Sequence, residues 1–347
     1  HQSEHGPVTQ AETAGKPGPI SPPNWRPSVA VVIPCYKVKG QVVDLILNIG
    51  PEVDHILLVD DACPEHSGEF AASKISDARL QVITHTENQG VGGAVISGIK
   101  AALEKEAEII VKLDGDGQYD PALIPLLIGP IVEGAVDCTK GNRFFNLENL
   151  AEMPAGRVFG NAMLSFVNKL VSGYWDIMDP TNGLIAIHAN IVRQIPLEKL
   201  DKRYFFESDL LFRLGTVRAV VCDIQLQAFY RDEISSLSIL DVALSFPRKY
   251  LNRMFKRLFY NFFLRDFNIG SVSLVAAIIL MTSGAAYGMV KWHLSYATGI
   301  PATAGMVMIS GLQLLAGLNF LISFINYDIG NIPRQVQSKL LRHSGME

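Results

Sequence analysis

The chain has few cysteines, and their spacing fits neither a metal site nor a disulfide framework. Its 347 residues include four of them, at Cys35, Cys63, Cys138 and Cys222. They are far apart and form no CxxC pair, which argues against a zinc site and favours a reduced, cytosol-facing domain. The formal net charge of −4 supplies no overall basic field, so we expect no nucleic-acid partner.

Formal charge is missing from two long stretches near the C-terminal end. The first covers residues 267–290 and the second covers residues 292–327. A helix needs roughly 20 apolar residues to cross the hydrocarbon core of a bilayer. Residues 269–290 and 302–325 meet this requirement, so we predict a two-helix transmembrane hairpin over 267–327. The alternative is a pair of buried core helices, which a domain of this size could hardly cover.

Basic residues lie at the two outer ends of the hairpin, which face the same side of the membrane. The connector between the spans is expected to carry Lys291 alone, whereas several basic residues precede the first span and others follow the second. Since cytoplasmic flanks are enriched in Lys and Arg, we expect both termini and the N-terminal domain to be cytoplasmic. Small residues in the first span suit close helix approach and leave a homo-oligomer open. The flanking basic residues are Arg248, Lys249, Arg253, Lys256, Arg257, Arg265, Arg334, Lys339 and Arg342.

The segment 247–264 has the pattern of a helix lying in the membrane interface. Its apolar residues fall on one helical face and its basic residues on the other, which suits contact with anionic lipid. A helix packed on the domain would show the same pattern, and both interpretations stay open. We assign 236–266 to amphipathic juxtamembrane helices and 328–347 to a cytoplasmic tail. Residues 1–27 are proline-rich without an apolar run, which predicts a disordered leader.

Between residues 28 and 235, apolar β-branched runs alternate with helical patterns. This alternation predicts an α/β, Rossmann-like domain with a mostly parallel sheet covered on both faces. Ligands of such sheets bind beyond the carboxyl ends of the strands. The predicted strands are residues 29–33, 55–59, 80–83 and 108–113, with helices around 41–48 and 92–104.

Polar and acidic clusters follow all four predicted strands. Asp60 and Asp61 can accept hydrogen bonds from a nucleobase or ribose. Asp114 and Asp116 flank a glycine and can approach a hard divalent cation, Mg²⁺ or Mn²⁺, that bridges to substrate phosphates. Four polar or acidic clusters at four strand ends are a stronger signal for a ligand site than any one of them. The expected binding residues at these strand ends are Pro34, Tyr36, Asp60, Asp61, Asn88, Gly90, Asp114 and Asp116.

These segments resemble a known family. The runs VAVVIPCYK, LLVDDACPEHS, ENQGVGGAVISGIKAA and VKLDGDGQYDP look like the nucleotide-sugar half of family 2 glycosyltransferases with the GT-A fold. Downstream, GNRFF, DPTNGLIAIH and YFFESDLLFRL resemble the dolichyl- or polyprenyl-phosphate glycosyltransferases, the group that contains dolichyl-phosphate mannose synthase. The resemblance covers residues 28–235, and the two-span tail is similar to the bacterial branch. It therefore implies a bacterial inner (plasma) membrane protein.

The resemblance implies roles for residues at the donor site. Asp61 would contact the base or ribose, while Asp114 and Asp116 would hold the metal and the diphosphate. Gln118 would line the donor site, and Asp179 in the DPTNG turn would shape the sugar pocket. Glu207 and Asp209 lie at the start of a predicted helix. They would either contact sugar hydroxyls or only stabilise the helix N-terminus through their negative charge, and both interpretations stay open.

Three arginines are implied to bind phosphate. Arg143 and Arg157 would bind the phosphate of the acceptor or donor, and Arg231 would close over the donor phosphates. With Asp116, Arg143 and Arg157 are the expected catalytic residues. The implied reaction is an inverting transfer of one sugar from a nucleoside diphosphate sugar, UDP-sugar favoured over GDP-mannose, to an undecaprenyl- or dolichyl-type phosphate. The product, polyprenyl-monophosphate-sugar, would serve cell-envelope glycan or lipopolysaccharide modification.

Two other functions stay open. One is a membrane family 2 glycosyltransferase with a saccharide or glycolipid acceptor, although no Gln-x-x-Arg-Trp motif precedes Trp25, Trp175 or Trp292. The other is a membrane scaffold whose domain only binds nucleotide. The chain also departs from the family pattern. Ala62-Cys63 replaces the usual glycine-serine, and the loop after Arg231 lacks the family's lysine.

Overall fold

One mixed sheet of seven strands organises the N-terminal domain. The structure is a computed structural model that describes residues 26–143, 155–226 and 239–343. The spatial order is β3-β2-β1-β4-β6-β5-β7; β6 runs antiparallel to β4 and β5, and the other strands are parallel. The strands are β1 (Val29–Cys35), β2 (His55–Asp60), β3 (Leu80–Thr84), β4 (Ile109–Lys112), β5 (Cys138–Asn142), β6 (Ile185–His188) and β7 (Val221–Gln225).

The central strands are apolar runs because both of their faces are covered. Every residue of β1 and β4 is buried, and alternate residues of β1 contribute to two separate hydrophobic clusters, one on each side of the sheet. Strands of this kind carry continuous apolar sequence instead of alternation. The predicted mostly parallel sheet is thus confirmed, and the four predicted strands end within two residues of the observed ones.

Helices cover both faces of the sheet. Gly98 of α3 shows why a small residue is needed there, since a Cβ atom would lie 2.2 Å from Cγ1 of Val32 in β1. The helix can therefore approach the central strand closely. The helices of this domain are α1 (Val42–Leu47), α2 (Ser67–Lys74), α3 (Val91–Glu104), α4 (Ile124–Val132), α5 (Ala155–Ser172), α6 (Ala189–Val192) and α7 (Phe206–Thr216).

Four further helices follow the domain. Among the described residues, α9 and α10 are long and apolar enough to cross a membrane by length and composition. They pack closely at glycines: a Cβ atom on Gly317 would lie 2.6 Å from Cγ of Met281. The helices are α8 (Ile239–Phe259), extended by a π-helix (Tyr260–Leu264), then α9 (Ile269–Thr298), α10 (Ala304–Gly330) and α11 (Gln337–His343).

Several boundaries differ from the sequence predictions. Helix α9 continues to Thr298, so Lys291 lies within it and the connector is the uncharged segment 299–303. Lys291 is ~33 Å along the axis from Ile269, close to the ~30 Å thickness of the hydrocarbon core. The juxtamembrane helix begins at Ile239, earlier than the pattern indicated, and α10 continues to Gly330, past the expected end at 327.

Candidate functional site

A cleft of about 600 Å³ opens at the carboxyl ends of β1, β2 and β4. Most of the strand-end residues predicted to bind a donor meet there, although they are distant in sequence. The cleft-lining residues that the sequence predicted are Pro34, Tyr36, Asp61, Asn88, Gly90, Asp114 and Asp116. The sequence thus identified the members of one cleft, and their individual roles stay predictions.

Asp61 fixes the turn that forms one wall of the cleft. Its carboxylate accepts the N–H groups of Gln89 at 2.9 Å and Gly90 at 2.8 Å, and it contacts His85 Nδ1 at 2.7 Å. His85 Nε2 in turn lies 2.8 Å from Ser97 Oγ on α3. The aspartate is almost completely buried, so this network holds its position at the cleft wall.

Gly90 brings a second segment to the cleft. Its φ of +88° favours glycine, and a Cβ atom would lie 2.6 Å from the carbonyl oxygen of Lys202. This close approach carries Arg203 and Tyr204 to the cleft wall, where Lys37 is another lining residue. None of these three residues was predicted from the sequence. Arg203 could have been selected from the sequence because it is a basic residue just before a helix N-terminus.

Asp60 and Gln118 are placed differently from what the sequence suggested. Asp60 accepts the N–H groups of Cys63 at 2.8 Å and Gly68 at 2.7 Å, and it does not line the cleft. Its carboxylate satisfies backbone donors at the start of α2. Gln118 donates its backbone N–H to Asp116 at 3.1 Å and is also outside the cleft lining.

Asp114 and Asp116 form the acidic wall. Gly115 between them lies so close to β1 that a Cβ atom would be 2.9 Å from the carbonyl oxygen of Pro34. In the part of the chain that the structure describes, no group of three or more His, Cys, Asp or Glu side chains could hold a metal ion. Asp114 and Asp116 offer the carboxylate oxygens that a hard divalent cation prefers, and they would hold it together with oxygens from a bound diphosphate and water.

A buried lysine stands behind Asp114. Lys112 Nζ donates to Asp114 at 2.7 Å and to the carbonyl oxygen of Gly183 at 3.1 Å, and it pairs with Glu207 at 3.1 Å. Burial disfavours its charge, but the two carboxylates raise the pKa of Lys112 above its usual value. Glu207 therefore holds Lys112, a partner that the sequence analysis did not consider. The signal was a lysine ending the apolar strand β4.

Arg143 and Asp179 form a bidentate pair. Arg143 Nε lies 2.8 Å from Asp179 Oδ2 and its Nη2 lies 3.1 Å from Oδ1. Asp179 has no exposed surface and also accepts from Asn182 Nδ2 at 3.2 Å. The sequence selected both residues separately. The structure shows that Asp179 holds the guanidinium at the end of β5, and contact of Asp179 with sugar stays untested.

Asp209 connects the domain to the juxtamembrane helix. Its buried carboxylate lies 2.6 Å from Nε of Arg253 in α8 and 3.4 Å from Nη2 of Arg213. These pairs occupy Asp209 in a structural contact. Arg231 lies outside the described residues, as does the side chain of Arg157, whose backbone belongs to α5. The predicted roles of these two arginines stay predictions.

Comparison with known proteins relates this cleft to one family. Residues 30–195 match the family model described as "Glycosyl transferase family 2". Over 218 residues the chain is 26% identical to UDP-N-acetylglucosamine--dolichyl-phosphate N-acetylglucosaminyltransferase of Methanococcus voltae, covering 59% of this chain and 86% of that protein. It is 27% identical to undecaprenyl-phosphate mannosyltransferase of Micrococcus luteus, covering 59% of this chain and 84% of the relative.

A solved structure shares the fold. Glucosyl-3-phosphoglycerate synthase from Mycobacterium tuberculosis, in complex with Mn²⁺, UDP and phosphoglyceric acid, superimposes with a TM-score of 0.51. The match covers 67% of this chain and 78% of the synthase, at 18% identity. The seven-stranded domain is thus GT-A-like, followed by two apolar helices near the C-terminal end.

Proposed function

Because the chain contains a family 2 glycosyltransferase domain, we propose that it transfers one sugar from a nucleoside diphosphate sugar to polyprenyl phosphate. One observation carries the proposal: the domain holds an acidic, nucleotide-sized cleft and is followed, after α8, by two helices of membrane length. This combination suits a soluble donor and an acceptor held in the bilayer. The relatives named for dolichyl- and undecaprenyl-phosphate transfer support the acceptor class.

The donor would bind in the cleft beyond β1, β2 and β4. Asp61 and Asn88 line the cleft and would contact the nucleoside, and Asp114 and Asp116 line it and would face the diphosphate. A divalent cation bound there, Mg²⁺ or Mn²⁺, would neutralise the departing diphosphate. Arg203, at the same cleft, would add positive charge near that group.

The acceptor phosphate would be bound by Arg143, with Arg157 as a second candidate. Asp179 fixes the orientation of the Arg143 guanidinium, whose planar geometry suits phosphate. A phosphate monoester is largely dianionic at neutral pH, because its second pKa is roughly 6. Its oxygen can attack the anomeric carbon without a general base, and attack from the face opposite the diphosphate inverts that centre.

The membrane arrangement follows from charge. The flanks of the hairpin carry the basic residues, while the connector 299–303 carries none. We therefore place the domain and both termini on the cytoplasmic side. The resemblance of the two-span tail to the bacterial branch supports a bacterial inner membrane as the location. The exposed apolar side chains of α8, among them Leu251 and Phe255, would lie at the interface beside anionic lipid. A UDP-sugar remains our preferred donor.

The test is a donor panel with one acceptor. Purified protein in lipid nanodiscs is incubated with undecaprenyl phosphate, Mg²⁺ or Mn²⁺, and separate UDP- and GDP-sugars, and the lipids are analysed by mass spectrometry. We expect one sugar added through one phosphate with a single donor, and no product with Asp116→Asn. Sugar transfer to a saccharide, without any lipid product, would instead support the alternative acceptor class.

A further inference from the structure

Three parts of the chain meet at one buried ion pair. Asp328, near the end of α10, accepts two hydrogen bonds from Arg257 of α8, both at 2.9 Å, and the side chains are 4% and 3% exposed. Trp175, which follows α5, donates its indole N–H to Asp328 Oδ2 at 2.9 Å. We call Asp328, Arg257 and Trp175 the Asp328 cluster. It joins the membrane hairpin, the juxtamembrane helix and the glycosyltransferase domain.

A short segment leads from this cluster to the Arg143–Asp179 pair. Only residues 176–178 separate Trp175 from Asp179, which holds Arg143. At the other end, Gly173 lies against Arg257, where a Cβ atom would be 2.5 Å from Nη1. Segment 173–179 is therefore fixed at one end by the hairpin and at the other by the Arg143–Asp179 pair.

The geometry of this ion pair indicates a role in orienting the helices and the domain, in addition to any contribution to stability. A buried ion pair is often no more stabilising than apolar side chains of the same volume, because both charges lose their hydration. Its bidentate geometry does, however, specify one relative orientation of the two partners. An enzyme whose acceptor is held by the bilayer needs such an orientation, because its phosphate-binding group must be held at the depth of the lipid headgroup.

We propose that Asp328 is a positioning residue for the transfer reaction. Through Trp175 it fixes segment 173–179, and through Asp179 it fixes Arg143 relative to the membrane hairpin. This inference rests on the proposed function for the identity of the acceptor. The coupling between the hairpin and the segment does not depend on which acceptor is used, so the two can be tested separately.

The first test compares acceptor use with donor binding. Trp175→Phe removes the N–H donor, together with part of the ring, and leaves the ion pair, whereas Asp328→Asn removes the charge. We expect each to lower kcat/KM for undecaprenyl phosphate roughly tenfold or more, mainly through a higher KM for the lipid; this is the size expected for a lost hydrogen bond to a charged group. The Kd for UDP should change less than about twofold, since the donor cleft is not in this path.

Asp266→Asn is the matched control, because it neutralises an exposed carboxylate just before α9. It should leave both parameters unchanged. A merely structural role of the cluster would reduce the active fraction, and so would lower turnover without changing KM for the lipid. Equal losses in acceptor use and UDP binding, or no loss in Trp175→Phe, would overturn the proposal. If Asp328→Asn does not fold, Trp175→Phe decides.

The second test requires no substrate. Hydrogen–deuterium exchange in nanodiscs should be faster in peptides covering 173–183 for Trp175→Phe and Asp328→Asn, and unchanged for Asp266→Asn. Unchanged exchange in both cluster variants would contradict the coupling. Faster exchange, in a protein that transfers no sugar to polyprenyl phosphate, would support the coupling and refute the proposed function.

Discussion

Removing the guanidinium of Arg143 should lower both the stability of the protein and its transfer of sugar to polyprenyl phosphate. A second substitution, at Asp179, separates these two effects. Asp179 is fully buried and Arg143 is 26% exposed, and two hydrogen bonds join them. Breaking a buried pair costs ~3–5 kcal/mol, and the partial exposure of Arg143 reduces this to ~2–3 kcal/mol. At ~2–4 °C per kcal/mol for a domain of this size, Arg143→Ala should lower Tm by ~4–12 °C.

The double variant Arg143→Ala/Asp179→Asn should recover much of that stability, because the remaining partner no longer carries a buried charge. It should not recover transfer to polyprenyl phosphate, because the phosphate-binding group is still absent. Thermal unfolding by circular dichroism and acceptor turnover are measured on the same nanodisc preparations. Arg193→Ala, which removes an exposed arginine, is the control for both assays.

Two outcomes would refute this reasoning. If Arg143→Ala is as stable as the wild type, the pair with Asp179 does not hold a buried charge in the folded protein. If the double variant regains acceptor turnover, the loss in the single variant came from misfolding and Arg143 does not bind the acceptor. Binding of UDP, followed by calorimetry, should be retained in both variants.

Three further predictions test the surroundings of the cleft. Lys112→Met should lower the free energy of unfolding by ~3 kcal/mol, because it leaves the carboxylates of Asp114 and Glu207 without their partner. Lys105→Met, on the surface, is the control and should lower it little. Equal melting curves for the two variants would contradict this prediction. Burial raises the pKa of Asp223 from 3.8 to about 6, so its stabilising contribution is complete below pH 3.8 and is lost as pH rises through 6. Asp223→Asn should therefore be more stable than wild type by ~2 kcal/mol at pH 7.5 and equal at pH 4, and a pH-independent difference in melts would argue against it. His85→Phe should weaken UDP binding roughly tenfold by releasing Asp61, and an unchanged Kd by calorimetry would exclude that role.

The sheet and the cleft were predictable because both depend on local sequence. Strands buried on both faces must be apolar along their length, and the parallel order places their carboxyl ends together. The sequence could not decide between Asp60 and Asp61. Successive side chains at a strand end point in different directions, and only the fold shows that Asp60 faces the start of α2.

Long-range pairing could not be predicted. Arg143 and Asp179 are 36 residues apart, and the interaction of Lys112 with Glu207 spans a longer part of the chain. Nothing in the local pattern specifies such partners, because they depend on where β6 and α7 pack. Arg203 reaches the cleft only because Gly90 allows its segment to approach.

The boundaries of the two long apolar helices show a second limit of prediction from sequence. The uncharged run ends before Lys291, but the helix continues to Thr298 and ends where Gly299 adopts a φ of +70°. Charge marks where an apolar span meets water, whereas backbone geometry marks where a helix stops. Charge alone places Lys291 in the connector, whereas the helix extends seven residues beyond it.

The most direct test of the central claim is a comparison of two acceptors that differ only in the phosphate. Wild-type protein in nanodiscs receives its preferred nucleotide sugar together with polyprenyl phosphate or with the same polyprenol lacking phosphate, and lipid-linked sugar is measured over time. We predict transfer with polyprenyl phosphate only, giving a product with one sugar on one phosphate. Equal transfer to the polyprenol, or transfer to neither while a saccharide is glycosylated, would contradict a lipid-phosphate acceptor.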